Sequence, residues 1–277
     1  MLNLMYITNN VEVAKIAQRA GVDWIFIDLE YIGKENRQKG RNTVISAHTV
    51  EDVRKLREVV NRSELLVRVN PIGKWSKDEI NNVIKAGANI IILPFFKTKK
   101  EVEEFINFVA RRAKTCLLVE TMEAVENIEE ILEIKGIDYI HIGLNDINIQ
   151  RKTNLIFEFL ADGYIDILVK KFKEKNIRFG FGGVAHMKSK LLPLAKAIIA
   201  EHYRLGSSGV ILSRSFIYYQ NQDLNEFESE FIKKVKELRE LEKELENKDK
   251  NFFEKNKENV KRDTYKVRDI IRNKNAK

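Results

Sequence analysis

Four carboxylates and one arginine stand where apolar runs of this chain end. Cys116-Leu117-Leu118-Val119 closes in Glu120, and Ile140-His141-Ile142-Gly143-Leu144-Asn145 closes in Asp146. Trp24-Ile25-Phe26-Ile27 leads into Asp28-Leu29-Glu30, while Leu65-Leu66-Val67 leads into Arg68-Val69-Asn70 with Arg68 as its only charge. A strand buried on both faces tolerates almost no charge along its length, so these groups belong where strands leave a core. In a parallel α/β fold the carboxyl ends of the strands form the edge where ligands bind. Two acids from successive strands, Glu120 and Asp146, suit a hard divalent cation, which takes oxygen ligands and leaves positions for substrate oxygens and water. Arg68 adds a fixed cationic fork suited to a carboxylate or to charge developing on an enolate. The set reads as a metal chelating a 2-oxo acid, with an arginine opposite.

The elements that would position these residues alternate along the chain. Periodicity predicts strands over 2–7, 24–30, 65–70, 90–95, 116–120, 140–146, 178–182 and 210–213. Helices are predicted over 11–19, 49–60, 77–86, 99–111, 124–134, 165–175, 191–205 and 224–245, with a short extra one over 155–160. Thr49 with Asp52 three positions on marks a helix start, and Gly21 and Gly87 mark stops. Eight strand-helix units in about 245 residues match a (β/α)8 TIM barrel better than an open sheet. We therefore expect a barrel over residues 1–245 and a charged helical extension over 246–277. The polar stretch 31–47, with Lys34, Arg37, Lys39 and Arg41, is the longest expected loop on the carboxyl-end face, and its cations point to an acidic or sugar-acid substrate.

Composition narrows the function classes. At 277 residues, with 44% hydrophobic and 32% charged content, the chain can bury a full core. The net charge is +8, and half of it lies from Glu244 onward, where 11 basic residues face 7 acidic ones. Those tail charges alternate in sign and accompany no nucleic-acid motif, so a solvated or oligomer-forming helix is the expectation rather than nucleic-acid binding. No run approaches the roughly 18 apolar residues of a membrane span, and the first residues lack the basic region of a signal peptide. The lone Cys116, inside an apolar strand, reads as a buried spectator in a reducing, cytoplasmic setting.

Four segments in barrel order carry a resemblance: Phe26-Ile27-Asp28-Leu29-Glu30, Arg68-Val69-Asn70, Leu118-Val119-Glu120-Thr121 followed by Asn127-Ile128-Glu129-Glu130-Ile131, and Ile142-Gly143-Leu144-Asn145-Asp146. Together they resemble the HpcH/HpaI aldolase and citrate lyase beta-subunit family over about residues 12–216. The resemblance implies that Glu120 and Asp146 ligate Mg2+, Mn2+ or Co2+, and that Arg68 stabilises a pyruvate enolate. It implies that Asp28 and Glu30 order metal-bound water and that backbone amides near Gly143 and Asn145 hold the substrate carboxylate. The implied reaction is reversible aldol cleavage of a 4-hydroxy-2-oxo acid to pyruvate and an aldehyde, in a homo-oligomer that uses its C-terminal helices.

The sequence departs from that pattern at one important place. Tyr31 follows Glu30 where the aldolase branch places a proton-transferring histidine, and Leu144 replaces a proline common there. Tyr31, His48, His186 or metal-bound water are the alternatives for the base, whereas His141 and His202 read as satisfied core side chains. Two rivals stand beside the aldolase reading: an acyl-CoA lyase of the citrate lyase type, and a barrel without catalysis that serves binding or assembly.

Overall fold

The computed structural model describes residues 1–33 and 47–275, so most of the polar stretch 31–47, including Lys34, Arg37, Lys39 and Arg41, lies outside the described residues. Nine parallel strands follow the chain: β1 (Asn3–Ile7), β2 (Trp24–Asp28), β3 (Glu64–Arg68), β4 (Ile90–Leu93), β5 (Lys114–Val119), β6 (Tyr139–Ile142), β7 (Arg178–Phe181), β8 (Gly183–Val184) and β9 (Gly209–Leu212). They pair in the order β7-β6-β5-β4-β3-β2-β1-β9-β8. The two ends of that order are consecutive in the chain, so the sheet is a nearly closed TIM-like barrel.

The closure rests on glycine. One strand was expected over 178–182, but Gly182, in the left-handed region at φ +54°, breaks it in two. β7 stays paired with β6, and β8 turns to pair with β9, Gly183 beside Ile211. Where β7 nears β9, Ser208 N donates to Phe179 O at 2.7 Å. A Cβ on Gly180 would run into the Gly209 carbonyl and the Tyr139 hydroxyl. The two chain segments approach this closely only because neither position carries a side chain.

Two apolar layers hold the barrel. Met5, Trp24, Phe26, Leu66, Ile90, Ile92, Cys116, Leu118 and Tyr139 fill its interior. A larger shell of Val, Ile, Leu and Phe packs the outer strand faces against the helices. Burial pushes the Cys116 thiol up, in keeping with an inert core residue.

Helix ends follow local chemistry. Thr49 and Asp52 form a reciprocal capping box on Val50–Val59. The helix expected over 124–134 is instead two short ones, Met122–Glu126 and Ile128–Ile131, parted at Asn127. Strand β6 ends at Ile142, not 146, and a helix Leu144–Gln150 follows that the apolar run had concealed. Pro193 delays the next predicted helix, which spans Ala195–Leu205 and not 191–205.

The C-terminal helix Lys250–Asn275 packs along its own barrel. Asn256 Nδ2 donates to Ala197 O at 3.0 Å and to Glu201 Oε1 at 2.8 Å, Lys257 pairs with Asp166 at 3.0 Å, and Val260 is buried. Truncation after Glu246 uncovers Ala197 and Glu201 and removes one of the two cations on Asp166, which also pairs with Arg204. We expect a loss of about 3 kcal/mol in urea unfolding from the forfeited apolar contact and hydrogen bonds. An unchanged midpoint would mean that this helix contributes nothing to the fold.

Candidate active site

A cavity of about 840 Å³ opens at the carboxyl ends of the strands. Asp28, His48, Arg68, Glu120, Gly143, Asn145 and Asp146 all line it. Glu30 lies behind Arg68, buried. Tyr31 is 65% exposed and lies off the wall, as does His186, whose neighbours are Ser215 and the Glu237 of a flanking helix.

Arg68 is the fixed point of this cavity. Its Nε and Nη2 donate to the two Asp28 carboxylate oxygens, each at 2.8 Å, and Nη1 lies 3.3 Å from Glu30 Oε2. Strand register places Asp28 directly beside Arg68, which makes the two-pronged bond possible. Burial pulls the guanidinium down, but Asp28 and Glu30 outweigh it and hold Arg68 charged well above the usual arginine value. Glu120 adds to the same effect, so it lies within electrostatic reach of Arg68. Three of the five guanidinium N–H groups face these carboxylates, and Nη1 and Nη2 each retain one more.

Asn70 shapes the chain beyond Glu30. Its Oδ1 accepts from Tyr31 N and Ile32 N, both at 3.0 Å, while its Nδ2 donates to Glu79 at 2.7 Å. His48 Nδ1 accepts the Asp28 backbone N–H at 3.0 Å, so a neutral ring carries its hydrogen on Nε2.

Glu120 is held by three elements. Phe95, in the left-handed region at φ +51°, aims its N–H at Glu120 Oε1 at 3.1 Å. Gln150 Nε2 donates to the Glu120 carbonyl at 3.1 Å, and Gln150 Oε1 accepts from Met122 N at 2.9 Å. Gly143 forms the third wall: an added Cβ would meet Glu120 Cβ at 2.8 Å and Oε2 at 3.0 Å. No sequence signal marked Phe95 or Gln150, because Phe95 acts through its own backbone N–H and Gln150 on the Glu120 carbonyl, each across a long stretch of chain. Asp146 does not sit at a strand exit as expected. It occupies the first turn of Leu144–Gln150, where the helix dipole favours its charge.

No group of three or more His, Cys, Asp or Glu side chains suited to a metal occurs among the described residues. The donor set here is two carboxylates lining one cavity, with Glu120 seated against a glycine that leaves it room. That set fits a hard divalent ion whose remaining ligands come from substrate and water.

His141 departs from its expected role as a satisfied core residue. It is 1% exposed and lines the cavity floor; its Nε2 lies 3.1 Å from the Gly182 carbonyl, while Nδ1 has no hydrogen-bond partner among the described residues. A carbonyl only accepts, so Nε2 carries the hydrogen and Nδ1 presents a lone pair. His202 repeats the arrangement outside the barrel: Nδ1 bonds Ser207 Oγ at 2.8 Å, the ring stacks on Phe181, and Nε2 is without a partner.

Known proteins place the chain. Over 166 residues it is 25% identical to the 2-keto-3-deoxy-L-rhamnonate aldolase of Escherichia coli K12, a match covering 49% of this chain and 57% of that protein. The chain thus spans little more than half the length of such relatives. Two solved structures share the fold at 15% identity. One is an HpcH/HpaI aldolase/citrate lyase family protein from Burkholderia cenocepacia, with TM-score 0.62 over 76% of this chain and 87% of that one. The other is an HpcH/HpaI aldolase from Desulfitobacterium hafniense, with TM-score 0.61 over 86% and 93%. No helix among the described residues is long and apolar enough to cross a membrane. The HpcH/HpaI aldolase/citrate lyase family model matches residues 3–155, more than half of the chain, and the chain belongs to that family.

Proposed function

We propose that this protein is a divalent-metal-dependent carbon-carbon lyase that cleaves a 4-hydroxy-2-oxo acid to pyruvate and an aldehyde. The observation that carries the reading is the assembly of Arg68, Glu120 and Asp146 around one cavity at the barrel's ligand edge. Glu120 and Asp146 would hold the metal, which when bound supplies a Lewis acid for the 2-oxo group. Arg68, oriented by Asp28 and Glu30, offers its two remaining N–H groups to the oxygen on which negative charge develops. Cleavage breaks the C3–C4 bond: the 4-hydroxyl gives up its proton as C4 becomes the aldehyde carbon, and the electron pair remains on the pyruvate fragment until C3 is protonated. Tyr31 and His186 lie off the cavity, which leaves His48 and His141 as the imidazoles facing it. Backbone amides at Gly143 and Asn145 would hold the substrate carboxylate.

The test is deuterium exchange into the methyl group of pyruvate with and without Mn2+. Exchange is expected to need the metal and to vanish in Glu120→Gln. Gly143→Ala, which pushes Glu120 off its seat, should reduce exchange at least about ten-fold while the fold persists, in line with losses seen when a ligand's support is disturbed. No exchange with any divalent ion would sink the lyase reading in favour of a binding module.

The family resemblance also supports a homo-oligomer formed through the C-terminal helices. In such an assembly a partner's helix would take the place that Lys250–Asn275 occupies on its own barrel. Sedimentation of the chain truncated after Glu246 reads this directly: an unchanged mass per particle, corrected for the missing residues, would refute it.

A further inference from the structure

The cavity has two unlike halves. The carboxylates and Arg68 come from β2, β3, the exit of β5 and the first turn of the helix Leu144–Gln150. The opposite arc, over the ends of β8, β9 and β1, is lined by Ile7, Leu191, Pro193, Ile198, Ile217 and Tyr218. Leu191 is 63% exposed, Tyr218 44% and Ile7 38%, so large apolar side chains face the open cavity with water against them.

Four polar residues of that arc make local hydrogen bonds. Asn10 caps the helix Val11–Arg19 through Oδ1, and Thr8 Oγ1 accepts from Asn10 N at 3.1 Å. Asn9 Nδ2 donates to Asp52 at 3.4 Å, and Ser213 Oγ donates to Val184 O at 2.8 Å. What the arc presents to a ligand is mainly hydrocarbon. Arg214 stands at its rim.

We propose that this arc seats an apolar chain carried beyond C4 of the substrate, so that the aldehyde released is aliphatic or aromatic rather than polyhydroxylated. The proposal rests on the lyase reading, which anchors the oxo-acid end at Arg68 and directs the rest of the molecule across the cavity. A sugar-like substituent laid on Leu191, Ile198 and Ile217 would displace water from its hydroxyls and find no hydrogen-bond partner in those side chains. The acidic or sugar-acid expectation drawn from the cations of 31–47 lies outside the described residues and is the rival that the test reads.

The test is calorimetric titration of the full chain, in the presence of Mn2+, with 2-oxobutanoate, 2-oxohexanoate and 2-oxooctanoate. A 2-keto-3-deoxy sugar acid and an eight-carbon 2-oxo diacid serve as comparisons, and pyruvate exchange is measured on the same sample. Affinity is expected to rise about three- to four-fold per methylene, the worth of a buried CH2. That slope should flatten in the Leu191→Ser/Tyr218→Ser double variant. Exchange with no chain-length slope, or tighter binding of the sugar acid, overturns the proposal and leaves the lyase reading standing. Tighter binding of the diacid overturns it in favour of Arg214 reading a terminal carboxylate. A double variant that loses self-association and keeps the slope assigns the patch to a second copy of the chain and overturns it as well. Absence of exchange with every divalent ion removes the reading beneath and the proposal with it.

Discussion

Arg68→Ala is expected to lower stability by about 3–5 kcal/mol at neutral pH and to abolish pyruvate exchange. Removing one partner of a buried ion pair is strongly destabilising, and here two buried carboxylates share the cation that is lost. The pH dependence of the variant has a definite sign. Without Arg68 the buried site holds less positive charge, so the folded variant takes up protons more readily than the folded parent. The variant's stability deficit should therefore shrink as pH falls toward 5. Arg68→Lys keeps the charge but not the fork, so it should recover part of the stability and little of the exchange. Urea unfolding of the three proteins at pH 7.5 and 5.5 decides the matter. An Arg68→Ala midpoint equal to the parent's at pH 7.5 would show that the triad contributes nothing, and the site would lose its rigid anchor.

Much of this arrangement was readable from residue order, because burial dictates it. A barrel strand is apolar along its length, so Arg68, Asp28 and Glu120 declared themselves by interrupting or ending such runs. The same reasoning failed at Asp146. Ile142-Gly143-Leu144 continues an apolar run that cannot be told from a strand by periodicity, although the chain turns at Gly143 into a helix. Gly182 misled for a related reason: a glycine at a strand exit is ordinary, and its positive φ and the change of pairing partner are tertiary facts. The apolar arc was invisible because it joins residues from three separated segments, none of them unusual alone. Phe95 and Gln150 escaped notice because they hold Glu120 through hydrogen bonds that span 25 and 30 residues. What sequence reveals is which groups cannot be buried alone; which backbone then reaches them is settled by packing.

The two buried histidines set the acid limit of the fold. Burial is the main force lowering His141, to about 4; the Gly182 carbonyl opposes it, and the positive charge of Arg68 adds to it. Burial likewise lowers His202, to about 3, with a further push from His141. A group whose folded value lies below its unfolded value of 6.5 takes up protons preferentially in the unfolded chain, so stability falls as pH drops from 6.5 toward 4. The full cost of these shifts is on the order of 3 kcal/mol or more for each ring by pH 4, and close to zero above pH 7.5. Glu79 and Glu201, raised by burial, act in the opposite sense, and Asp166 is lowered, the pull of Arg204 and Lys257 outweighing burial, so its pairing weakens only at greater acidity. The window between pH 6.5 and 5 therefore belongs mainly to the histidines. His141→Gln, which can still donate to the Gly182 carbonyl, and His202→Phe, which keeps the stack on Phe181, should each flatten the decline in that window, and the pair should nearly remove it. Urea midpoints at pH 7.5, 6.5, 5.5 and 5 measure the slope; a double variant that declines as steeply as the parent would mean that these rings are already solvated in the native state.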